Sequence, residues 1–211
     1  MFAQEMQNEP IAAEGLALRK DWLQYYDHSN PPNFNWIYAG VDPAVGKSDI
    51  ASYTALVLVG VTPSHQFYIL DMQRHRWPVD WEKQCAAVLD GYVERGFKIT
   101  LVAVESVITF SYITAPLINI SPLPIRFVDY RQAGDTQIRD KVARIQGLGV
   151  YFEQGRVFLP HPNQYPMTAT FEHTEYLSFP EGEYTDLLDA LNLAIQAHAS
   201  MPSGDAAFRI G

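Results

Sequence analysis

Apolar residues fall along this chain in runs and periods that mark out an α/β protein. Trp36 to Val41 is apolar and β-prone and stops at Asp42-Pro43; a polar loop through Asp49 leads to a second apolar run, Tyr53 to Val61. Pro63-Ser64 then turns the chain into Gln66 to Asp71, so the three runs predict an antiparallel meander. From Val79 to Tyr92, the positions Val79, Cys85, Ala86, Val88, Leu89 and Tyr92 recur at helical spacing, and Gly96 can end that helix.

The second half alternates strand and helix patterns. Ile99 to Val104 is a continuous apolar run ending at Glu105, as expected of a strand buried on both faces, and Ile125 to Val128 is a shorter one. A short helix is expected at Tyr112 to Ile118, a longer one from Thr136 to Leu148, a hairpin-like piece at Gly155 to Leu159, and an amphipathic stretch from Met167 to Leu177. Leu187, Leu188, Leu191, Ala194, Ile195 and His198 define a last helix that Thr185 can cap. A meander followed by alternating strands and helices predicts an α/β mixed sheet, antiparallel plus parallel, flanked by helices. The turn formers His28 to Asn33 set a boundary: 1–33 as a joining segment, 34–200 as the domain, and 201–211 as a flexible tail.

Composition sharpens this picture in three ways. With 47% hydrophobic and 18% charged residues in 211, the chain has the material for one sizeable core and is no disordered segment. Its single cysteine, Cys85, cannot form an internal disulfide, the first residues lack a basic start and apolar block, and no apolar run approaches the ~20 residues that span a bilayer. These features point to the cytosol and to no membrane. The net charge of -9 argues against coating nucleic acid by bulk electrostatics, although six cations face four acids between Arg126 and Arg156.

Three acids stand at element ends: Asp42 and Glu105 each close an apolar strand, and Asp186 opens the last helix. In open α/β sheets functional groups gather just beyond strand ends. Each acid alone has an ordinary explanation, as a turn former or a first-turn acid on the helix dipole, but a glutamate ending Leu101-Val102-Ala103-Val104 calls for a partner. Carboxylates ~4 Å apart repel by about 4 kcal/mol at an effective dielectric of 20, so convergence requires a cation. Oxygen donors without a Cys or His cluster favour Mg²⁺ or Mn²⁺. Asp189, one helical turn beyond Asp186, is either a fourth ligand or an orienting group.

Other motifs carry less. Gly46-Lys47-Ser48 imitates the end of a phosphate-binding loop, but Val41 replaces the required glycine and a strand follows instead of a helix; Lys47 remains a phosphate contact beside Asp42. His161 and His173 read as surface histidines, and Trp22, Tyr25, Tyr26, Trp36, Trp77 and Trp81 as packing residues. Arg131, Arg139, Lys141 and Arg144 read either as a solvated helix face or as contacts to a phosphate backbone.

Taken in order, Gly40-Val41-Asp42-Pro43-Ala44 with Tyr53-Thr54-Ala55-Leu56, Val104-Glu105-Ser106, Lys141-Val142-Ala143-Arg144-Ile145, Gly155 to Pro160, and Asp186-Leu187-Leu188-Asp189-Ala190-Leu191 resemble the C-terminal nuclease domain of the large terminase subunit of tailed bacteriophages. The resemblance covers about residues 36 to 200, and Gln4 to Tyr26 looks like the segment joining that family's ATPase to its nuclease. The chain departs at Thr185-Asp186, where the family often has two acids, and at Ser52, where it often has one. The resemblance implies an RNase H-like fold and an endonuclease that cuts double-stranded DNA during genome packaging in the host cytoplasm. It further implies two-metal phosphodiester hydrolysis, with Asp42 bridging both ions, Glu105 and Asp186 completing the shells, and a packaging ATPase, portal and small terminase subunit as partners. The rival readings are a non-enzymatic docking module on the same fold, or another RNase H-like nuclease such as a junction resolvase.

Overall fold

Seven strands in the order β1-β7-β4-β3-β2-β5-β6 make one mixed sheet. They are β1 (Gln24–Tyr26), β2 (Trp36–Asp42), β3 (Thr54–Val61), β4 (Phe67–His75), β5 (Leu101–Glu105), β6 (Ile125–Val128) and β7 (Val157–Pro160). The helices include α1 (Trp81–Glu94), α2 (Gln137–Glu153), α3 (Pro166–Phe171) and α4 (Asp186–Ala199). The computed structural model describes residues 17–44, 53–77, 80–106, 117–130 and 137–201, with 137–140 as backbone only. Among these, no helix is long and apolar enough to cross a membrane.

The meander forms as its sequence predicts: β2 pairs antiparallel with β3, and β3 with β4. Strand β3 is buried along its whole length because it lies in the middle of the sheet with helices on both faces, which is why its sequence is apolar without alternation. Leu56, Leu58, Val41 and Val102 pack against Trp81, Cys85 and Leu89 of α1. Ala55, Val57, Tyr38 and Ala103 turn the other way, onto Leu187, Leu191 and Ala194 of α4. Gly40 brings α4 and β2 unusually close: a Cβ there would overlap the Ala190 carbonyl and come within 2.9 Å of the Ala194 nitrogen.

Four expectations shift. The piece at Gly155 to Leu159 is no hairpin: Gly155, at φ 63°, reverses the chain out of α2, and β7 then pairs parallel with both β4 and β1. Helix α2 runs to Glu153 instead of ending at Leu148, and Gly149 leaves room on it for the Leu18 side chain. The segment 1–33 is in part an edge of the sheet, since β1 pairs with β7 and Leu18 and Leu23 join the core. Met167 to Leu177 divides into α3 and a π-helical turn at Glu172–Tyr176. Of the helix expected at Tyr112 to Ile118, 112–116 lie outside the described residues, and 117–120 are helical.

Candidate active site

The sheet register sets the acids side by side. Asp42 ends β2 opposite Ala55, and Val41 pairs with Val104, so Glu105 is the next residue beside Asp42 on the neighbouring strand. Side chains alternate along a strand, and both acids share the face of Ala55 and Ala103, the one that α4 covers. Helix α4 starts over this end of the sheet with Asp186, and Asp189 follows one turn on, on the same side. Asp42, Asp186 and Asp189 are all buried.

The start of α4 is fixed by a residue the sequence reading missed. Thr185 occupies the cap position but makes no capping bond; its hydroxyl donates to Asp189 at 3.3 Å. The amides of Leu187 and Leu188 instead donate to the Glu175 carboxylate at 2.8 and 3.1 Å, and Arg74 of β4 pairs with its other oxygen at 3.2 Å. Burial pushes the Glu175 carboxyl up to about 7, against the amide bonds and Arg74. A glutamate inside an amphipathic stretch carries no signal that it caps a helix eleven residues later.

Two cations from α2 enter the acid cluster. The Lys141 ammonium lies 2.5 Å from Asp189. Arg144, one turn on, reaches Asp189 at 3.5 Å and Glu105 at 4.0 Å, with its guanidinium 3.9 Å from the centre of the Tyr130 ring. Burial works against the Lys141 charge, yet Asp189, Asp42 and Asp186 outweigh it and raise its pKa, so all three acids act on this one ammonium. Burial and then the charge of Asp189 raise the Glu105 carboxyl; Arg144, a hydrogen bond with Asp42, and Lys141 oppose the rise. Among the described residues no three acid, His or Cys side chains stand at ready-made metal spacing. Lys141 is drawn in among the acids, and the repulsion expected of clustered carboxylates is met by two side-chain cations.

The structure therefore brings together Asp42, Glu105, Asp186, Asp189, Lys141 and Arg144. Of the two readings of Lys141 and Arg144, a solvated face or contacts to a phosphate backbone, the first does not describe them, because α2 turns them onto Asp189 and Glu105. Lys47 and Arg131 lie outside the described residues, and so does the Arg139 side chain. His161 and His173 are exposed.

A meander extended by parallel strands, with helices on both faces, is an RNase H-like fold. No family model matches the sequence, and neither does any curated protein. Among solved structures, the chain is similar to the nuclease domain of the phage P22 large terminase, with TM-score 0.58 and 11% identity over 88% of this chain and 92% of that one. The magnesium-bound large terminase nuclease of the thermophilic phage G20c gives TM-score 0.56 and 15% identity over 86% and 94%. The human cytomegalovirus terminase nuclease domain gives 0.52 and 14% over 87% and 92%. At these identities the likeness is one of fold.

Proposed function

We propose that the chain is a metal-dependent endonuclease that hydrolyses phosphodiester bonds of double-stranded DNA, in the manner of a terminase nuclease serving genome packaging. The observation that carries this reading is the cluster of four carboxylates built from β2, β5 and α4 and neutralised by Lys141 and Arg144. Its donors fit a hard divalent ion, Mg²⁺ or Mn²⁺, because they are carboxylate oxygens with no thiolate or imidazole among them. Asp42, Glu105 and Asp186 would hold two such ions. When bound, they supply Lewis-acid activation of water and stabilisation of the leaving oxygen.

The chain's own residues supply the rest. Asp189 anchors Lys141 and Arg144, which keep the acids together in the metal-free protein. The Arg144 Nε is buried without a hydrogen-bond partner among the described residues, and a phosphate oxygen suits such a donor. A packaging ATPase, a portal and a small terminase subunit are the partners this reading implies. The test is plasmid nicking in Mn²⁺: Asp42→Asn should abolish it while circular dichroism and thermal unfolding show an intact fold. Undiminished cutting by the purified variant would refute the assignment. Preference for a four-way junction or an RNA–DNA hybrid over linear duplex would transfer the site to another RNase H-like activity.

A further inference from the structure

The row of positions that holds the acids does not stop at Asp42. Ala55 pairs with Asp42 on one side and with Arg74 on the other, so Glu105, Asp42, Ala55 and Arg74 form a line across four strands on the face that α4 covers. Tyr53 and Arg76 lie just beyond the ends of β3 and β4, next to the Thr54–His75 pair. The Arg76 guanidinium sits 4.4 Å from the centre of the Tyr53 ring, and that of Arg74 lies 5.0 Å from Tyr53 and 5.2 Å from Tyr184, whose rings meet edge-on.

The geometry points to this rim as a second DNA contact, one that grips the phosphate backbone on the β4 side of the acids; it rests on the nuclease reading above. Arg76 is exposed, and an aromatic face orients a guanidinium plane without consuming its N–H donors, leaving the fork that fits a phosphate. Arg74, whose charge is shared with Glu175, stiffens the arrangement from beneath. Glu183, hydrogen-bonded to Tyr184, opposes the attraction, so the rim contributes a local grip and no broad positive field. Asp42 and Arg74 are two strand spacings apart, about 10 Å. Arg76 lies beyond the end of β4 next to Arg74, so the rim meets the backbone flanking the bond held at the acids.

The test is fluorescence anisotropy of a short labelled duplex with the full chain in Ca²⁺, titrated between about 50 and 200 mM salt, beside Mn²⁺ nicking. Removing one phosphate contact lowers the slope of log affinity against log salt by about 1. Arg76→Ala should show that loss and bind several-fold more weakly regardless of sequence, with unchanged thermal stability, and Arg76→Lys should recover the slope. Tyr53→Ala should weaken binding and Tyr53→Phe restore it, since the ring face and not the hydroxyl holds Arg76. Wild-type affinity and slope in Arg76→Ala, with the wild-type chain binding and cutting normally, would overturn the rim and leave the nuclease reading standing. A wild-type chain that neither binds nor cuts duplex would overturn both.

Discussion

Lys141 stands where opposite electrostatic demands meet. Its ammonium loses hydration in a buried cluster, and three aspartates more than compensate. Without it, those acids lose one of the cations that meet their charge. An exposed ion pair is worth up to about 1 kcal/mol and breaking a buried one costs about 3–5 kcal/mol. Lys141 is 36% exposed and Asp189 only 3%, so Lys141→Ala should destabilise the metal-free chain by about 1–3 kcal/mol in denaturant unfolding. Added Mn²⁺ should restore more stability to this variant than to the wild type, because a divalent ion replaces the missing charge. Equal restoration in both would argue that Lys141 is a bystander to the acids.

Among elements, α4 shows what is written in the chain and what is not. Its apolar period is legible in Leu187, Leu191, Ala194 and Ile195, all buried, and the strand-ending acids stand out because each closes an apolar run. Its true cap is not legible: Glu175 reaches the Leu187 and Leu188 amides only because the preceding turn folds back, a tertiary fact without local pattern. Lys141 and Arg144 read as a solvated face or as phosphate contacts, and their pairing with Asp189 is not legible, since sequence spacing gives the side of a helix and not what it meets. The parallel pairing of β7 escaped because a four-residue strand after a glycine turn looks the same in either direction. Glu175 also yields a pH signature. Burial raises its carboxyl from 4.5 to about 7, so the folded chain holds this proton more tightly than the unfolded one. Its contribution is therefore most favourable below pH 4.5 and is lost as pH rises to about 7, by about 3 kcal/mol. Glu175→Gln removes this dependence, so urea unfolding should show the variant gaining on the wild type across that window. A constant difference between the two would contradict the assignment.

For the molecule as a whole, the sheet is closed at one edge by β1, supported by Leu18 and Leu23 in the core. A shortened chain starting at His28 should lose cooperative stability and aggregate, because it uncovers β7 and two core positions, a loss that thermal unfolding beside the full chain checks. At the centre, Gly40→Ala should cost about 3 kcal/mol or more, since main chain cannot yield as a flexible side chain does. That contact also acts as a ruler. With bare backbone against bare backbone as long as Gly40 is kept, the span from Asp42 to the aspartates of α4 is set by main-chain atoms and not by the side chains packed around them. Repacking the apolar side of α4, for example Leu191→Met, then tunes how firmly the two layers cohere while the spacing of the carboxylates stays as it was.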